Sequence, residues 1–330
     1  MGAWRRRASP LVASAFALTL VRCATRYGSE DPATPEPPPV GDAGGGGEAS
    51  LDGSTPDGAV PVVDAGPLCD KTKPFGAPAR LAELDPTIHA ASPRLSHDEL
   101  TLYFTTSSQA GDADLARMVR LKGSATFGPV VLLPANTSFD DNDPSVSADH
   151  LRLFFHSTRG GNGDLFAARR GGPLAPFGDV QAIQTLNTDA GEAHPYYRQA
   201  ASELWFVRED VQTLFDIYVA TETSGGFGPP QRVTELSSTA NEWLPQISED
   251  GLTILFASDR GGGKGGFDLW LASRANEKLP FSSPVPIDEL NTAANEFAGW
   301  LSADGCRIWF SSNRADAGGL SSIYFAERPR

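Results

Sequence analysis

The sequence predicts an all-β chain folded as a five-bladed β-propeller of four-stranded antiparallel blades. Three observations predict it. One motif of about 51 residues is written five times between residues 75 and 330. Each copy carries aromatic and aliphatic runs of strand length bounded by Gly, Asp and Asn. The first and last copies are incomplete in complementary ways.

The repeat is set by a phenylalanine at Phe75, Phe127, Phe177, Phe227 and Phe281, spaced by 52, 50, 50 and 54 residues. A second landmark follows in each unit, at Pro93-Arg-Leu-Ser96, Pro144-Ser-Val-Ser147, Pro195-Tyr-Tyr-Arg198, Pro245-Gln-Ile-Ser248 and Gly299-Trp-Leu-Ser302. This is the innermost strand. After a turn come runs such as Leu151-Arg-Leu-Phe-Phe155 and Leu252-Thr-Ile-Leu-Phe256, which read as second strands buried on both faces. A Gly-rich loop leads to a shorter third strand, for example Asp164-Leu-Phe-Ala167 or Asp268-Leu-Trp-Leu271, and the fourth strand follows the repeated Phe. Four antiparallel strands at this period describe propeller blades. The last copy stops after its third strand, and the first begins with a lone outer strand near residues 77–83. The two ends therefore complete one blade, a closure that removes exposed edges.

The pattern running from Ser248-Glu-Asp250-Gly251 to Arg260-Gly261-Gly262, and again from Ser302-Ala-Asp304-Gly305 to Arg314, resembles the WD40-like repeat of the TolB-like propeller family of bacterial envelope proteins. The resemblance covers residues 75–330 and implies a fold more than a function, because propellers host binding modules and enzymes alike.

The domain boundaries follow from composition. Arg5, Arg6 and Arg7 precede an apolar stretch from Leu11 to Val21 that is too short to span a bilayer, so residues 1–22 read as a signal peptide. Leu20-Val-Arg-Cys23 resembles a lipoprotein lipobox, with Cys23 the lipidated residue, although Arg22 departs from the small residue that pattern prefers. Residues 23–67 are rich in Pro, Gly, Ala and Asp and read as a disordered tether; residues 68–330 form the propeller. The expected location is the periplasm, the outer membrane or the cell surface, with membrane contact only through the lipid.

The formal net charge is -14, and an acidic chain of this kind excludes nucleic acid as the main partner. Cys69 and Cys306 fall at the same end of the shared blade and are expected to form a disulfide across its seam.

Three residues before each inner-strand landmark stand Ala90, Asp141, Glu192, Glu242 and Glu296, which places four carboxylates around one mouth of the central channel. The second strands end at the same face and supply Arg159, Arg260 and Arg314, expected as structural ion-pair partners of Asp141, Glu242 and Glu296. Blade 1 lacks both members, having Ala90 and Gln109. Blade 3 reads as the exception: Asp210 stands where an arginine is expected, so Glu192 and Asp210, with His194 nearby, are expected as a cation site, with calcium the candidate ion. Trp243 and Phe297 follow two of the acids and suit sugar or peptide recognition, whereas Trp205, Trp270 and Trp309 are assigned to the core.

Neither a nucleophile elbow, nor HExxH, nor a P-loop occurs. The leading expectation is a monomeric, non-enzymatic module that binds an envelope protein or glycan without a cofactor. The alternative is a glycan-active enzyme using the channel-mouth carboxylates, as in several five-bladed glycosidase families.

Overall fold

The computed structural model describes residues 69–107, 112–210, 214–315 and 319–330. The signal peptide, Cys23 and the tether fall outside these residues, as does Gln109. Among the described residues no helix is long and apolar enough to cross a membrane.

The strands appear in the expected order. β1 (Ala79–Arg80) precedes blade 1, formed by β2 (His89–Leu95), β3 (Thr101–Ser107), β4 (Asp114–Val119) and β5 (Val131–Leu132). Blade 2 comprises β6 (Asp141–Val146), β7 (Arg152–Ser157), β8 (Asp164–Arg169) and β9 (Gly178–Ala182). Blade 3 comprises β10 (Glu192–Arg198), β11 (Glu203–Asp210), β12 (Leu214–Thr223), β13 (Gly226–Phe227) and β14 (Gln231–Arg232), the last two both pairing with β12. Blade 4 holds β15 (Glu242–Ile247), β16 (Thr253–Ser258), β17 (Asp268–Ser273) and β18 (Val285–Pro286). Blade 5 has β19 (Glu296–Leu301), β20 (Arg307–Ser312) and β21 (Ser322–Glu327), and β1 is its outer strand.

That last pairing closes the ring. Ala79 and Arg80 lie opposite Phe325 and Tyr324 in antiparallel register, and the seam continues through Leu81 N–H to Ile323 O and Gly76 N–H to Glu327 O. Cys69 and Cys306 are bonded beside it, with Cα atoms 5.6 Å apart.

The repeated phenylalanines hold the blades together. Phe75, Phe127, Phe177, Phe227 and Phe281 are all buried. Arg328, Arg120, Arg170 and Arg274 lie over the rings of Phe75, Phe127, Phe177 and Phe281. Each of these arginines donates through Nε to a turn carbonyl in its own blade, at Gly305, Glu99, His150 and Gly251. All four turn residues have positive φ, between 58° and 70°, so the two glycines sit where a side chain is strained. Trp205, Trp270 and Trp309 fill space between blades as expected.

Gly299 replaces the landmark proline for a steric reason. A Cβ there would lie 2.4 Å from Trp309 O and 2.6 Å from Pro93 Cγ. Blade 1 thus presses its proline onto the backbone of blade 5. Next to Pro93, the buried Arg94 guanidinium donates to Gly299 O and to Pro245 O and lies 5.2 Å from the Tyr196 ring centroid. One side chain ties blade 1 to blades 3, 4 and 5, and burial lowers its pKa to about 10.

Candidate functional site

The four ring carboxylates begin the innermost strands β6, β10, β15 and β19, and none is exposed. Each is held by the same clamp. A Thr or Ser four residues earlier donates its N–H and its hydroxyl to the carboxylate: Thr137 to Asp141 at 2.6 and 2.9 Å, Thr188 to Glu192 at 3.0 and 2.6 Å, Ser238 to Glu242 at 3.2 and 2.5 Å, Thr292 to Glu296 at 2.7 and 2.8 Å. An arginine completes the clamp. Arg159, Arg260 and Arg314 approach Asp141, Glu242 and Glu296 at 2.5, 2.7 and 3.1 Å. These arginines also donate to the carbonyls of Ala135, Leu236 and Leu290, tying the preceding loop to the strand.

Blade 3 corrects the sequence reading. Glu192 has an arginine, Arg208, whose Nε lies 2.7 Å from its Oε1 and whose Nη2 donates to Leu186 O. The cause is the longer second strand. β11 runs on to Asp210, opposite Leu214, and register sets Arg208 directly across from Glu192, where the other three clamped blades have a serine. Asp210 lies two residues further along the hairpin. Two adjacent carboxylates without a counter-charge, the premise of a cation site at Glu192 and Asp210, do not exist here. Among the described residues no group of three or more His, Cys, Asp or Glu side chains is arranged to hold a metal ion.

The clamps differ in electrostatics. Burial pushes the Glu242 carboxyl up from its ordinary value, outweighing the Ser238 hydrogen bonds and the Arg260 charge. Burial and the neighbouring Glu192 likewise raise Asp164, at the start of β8.

His194 serves a different cluster. Every inner strand is bulged just after the ring position, and the residue two beyond it has positive φ in Ser92, Asp143, His194 and Leu244. The left-handed conformation of these non-glycine residues costs free energy, which the surrounding packing must offset. It turns three polar side chains towards one another. Ser92 Oγ donates to Asp143 Oδ1 at 2.6 Å, and His156 Nδ1 lies 3.1 Å from Asp143 Oδ2. His194 Nδ1 stands 2.8 Å from the same oxygen but out of line for a hydrogen bond, so that contact is coulombic.

Burial alone would raise Asp143, yet the His194 charge and the hydrogen bond from His156 hold its carboxyl well below the usual carboxylate range. Sequence reasoning passed over Asp143, Ser92 and His156. A partial signal was available in the offset of two residues from the ring position, which gives Ser92, Asp143 and His194 in consecutive blades.

Trp243 and Phe297 come together, with ring centroids 6.1 Å apart. Phe267 stacks on Trp243 at 4.3 Å, and His194 lies 5.3 Å from Trp243. Trp243 Nε1 is buried with no hydrogen-bond acceptor among the described residues. Beside this cluster, a cleft of about 300 Å³ opens between blades 2 and 3, lined by His156, Asn162, Gly163, Gly191, Glu209 and Phe215 among others. At the far end of the inner strands, Arg94, Tyr196, Gln246 and Trp300 line a cavity of only about 80 Å³.

No protein-family profile matches the chain, and no curated protein matches it in sequence. Among solved structures the fold is similar to a thermostable family-43 glycoside hydrolase, at 11% identity and TM-score 0.52, over 75% of this chain and 92% of that one. It is similar also to Zg3597, a family 117 glycoside hydrolase of the marine bacterium Zobellia galactanivorans, at 12% identity and TM-score 0.51, over 77% and 90%. TolB from Acinetobacter baumannii matches at 15% identity and TM-score 0.43, over 73% of this chain; this chain covers 55% of that protein. The likeness is one of fold. It assigns no activity.

Proposed function

We propose that this chain is an exported propeller module that binds a glycan or protein of the cell envelope as a monomer, and that it is not a glycan-cleaving enzyme. The observation that carries this reading is the burial of all four ring carboxylates in Arg and Ser or Thr clamps. Glycoside hydrolysis by a carboxylate pair requires two carboxyl groups about 5–9.5 Å apart that flank the scissile bond and reach the substrate. A carboxylate with no exposed surface and several hydrogen-bond donors already aimed at it does not reach one. Its role is to lock a loop onto the innermost strand.

Export is supported by the Cys69–Cys306 disulfide, since such bonds persist in oxidising compartments. Lipidation of Cys23 would add the anchor and leave residues 24–67 as the tether. The clustered rings of Trp243, Phe267 and Phe297 supply flat apolar surface at the mouth.

The test pairs a glycan array and an envelope pull-down with hydrolysis assays on aryl glycosides, all with the purified full chain. Saturable binding without turnover is expected. Turnover abolished by a folded ring-acid variant overturns the reading.

A further inference from the structure

We infer that the cleft between blades 2 and 3 is a subsite for a neutral saccharide, with His156 and Glu209 as its polar contacts and Phe215 as its stacking wall. This rests on the binding-module reading and deepens it. The argument begins at Asp143. Its carboxylate is ionised at neutral pH and can only accept, so His156 Nδ1 carries the proton of their 3.1 Å contact. The other ring nitrogen, Nε2, is then an acceptor when the imidazole is neutral, held in a fixed orientation from behind.

That nitrogen faces the cleft because Gly163 has no side chain. A Cβ on Gly163 would sit 3.1 Å from His156 Cδ2 and 3.2 Å from Nε2. On the opposite wall, a Cβ on Gly191 would lie 3.8 Å from both Glu209 Oε2 and the Phe215 ring. Two glycines thus leave open the space between an imidazole, a carboxylate and an aromatic ring. Phe215 is fixed edge-on against Trp243, with centroids 6.1 Å apart.

The chemistry of the lining selects the ligand. Glu209 is exposed and accepts hydrogen bonds, His156 Nε2 accepts, and the Asn162 amide already donates to Asp189 O at 2.8 Å. A ligand that donates several hydroxyls and offers a flat C–H face to Phe215 satisfies these walls. An anion is disfavoured by Glu209 and by Asp143 behind His156. The volume of about 300 Å³ accommodates a small ligand such as one sugar unit.

The test uses the full chain with its disulfide intact and follows the histidine Cε1–H signals by NMR, with His156 assigned from His156→Gln. The probes are xylotriose, cellotriose and maltotriose, with spermidine and trigalacturonate as the cationic and anionic arms. At least one neutral trisaccharide should shift the His156 signal saturably below about 10 mM, a range in which millimolar affinity is visible. Gly163→Ala, which fills the cleft without changing charge, and Phe215→Ala should each weaken that binding about tenfold while each variant still melts cooperatively. The inference falls if no neutral probe moves the His156 signal, if spermidine or trigalacturonate alone does so, or if the two cleft variants bind as wild type does. If a glycan found on the array binds wild type and the cleft variants equally, this inference fails and the binding-module reading stands.

Discussion

Replacing both Cys69 and Cys306 with serine isolates the contribution of the seam. The disulfide spans 237 residues of sequence, nearly the whole propeller. In the chain-entropy description, a loop of that length contributes about 5 kcal/mol by restricting the unfolded chain, and measured disulfides more often deliver 2–4 kcal/mol. The main-chain pairing at the seam is short: β1 is two residues long, and Asp70, Gly76 and Leu81 add one bond each to β21 and the residues after it, while buried Phe75 and Leu81 supply the apolar contacts. At 2–4 °C per kcal/mol for a domain of this size, the variant should melt roughly 10 °C below the oxidised wild type. Calorimetry of wild type with and without reductant, beside the double variant, measures this. The reduced wild type and the variant should coincide. Melting of all three within about 2 °C of one another would refute the argument that the disulfide staples the closure.

Three further outcomes follow from named contacts. Arg208→Met strips the counter-charge from the fully buried Glu192 and should cost about 3 kcal/mol, at the low end for breaking a buried pair because Arg208 is partly exposed; adding Glu192→Gln should restore part of that loss in urea unfolding. Gly299→Ala drives a methyl into Trp309 O and Pro93 and should cost about 1–3 kcal/mol, read as a lower urea midpoint. Asp143 has a folded pKa held well below its ordinary 3.8, so its stabilisation is fully present above 3.8 and is lost as pH falls through the folded value. The stability gap between wild type and Asp143→Asn should therefore be at its plateau at about pH 5 and shrink progressively on further acidification; a gap that widens there contradicts the assignment.

The fold was legible because repetition shows five times what one segment shows weakly. The spacing of Phe75 through Phe281, the incomplete end copies and the positions of Cys69 and Cys306 together imply the closure that Ala79 and Arg80 make on Phe325 and Tyr324. The three pairs to Arg159, Arg260 and Arg314 were legible for the same reason. Blade 3 was misread because the comparison assumed a fixed offset from acid to arginine. β11 is longer, and its cross-strand register brings Arg208 to Glu192 from a different position.

For the cluster of Ser92, Asp143, His156 and His194, the repeat shows that Ser92, Asp143 and His194 occupy equivalent positions but not that their side chains meet. The cluster's members meet because the inner strands bulge and place Asp143 and His194 at φ of 58° and 55°, a conformation these residues adopt infrequently. Three blades must be in place before the contacts exist. A histidine taken alone, such as His156, then carries no sign of the carboxylate behind it.

The account turns on the ring carboxylates being structural, and one comparison tests that most directly. Wild type and Glu296→Gln are assayed side by side for thermal stability and for turnover of a panel of aryl glycosides, at a temperature where both are folded. The account predicts that Glu296→Gln melts lower, because the charge that Thr292, Ser312 and Arg314 enclose is gone, and that neither protein turns over any substrate. Turnover by wild type that disappears in folded Glu296→Gln would contradict it.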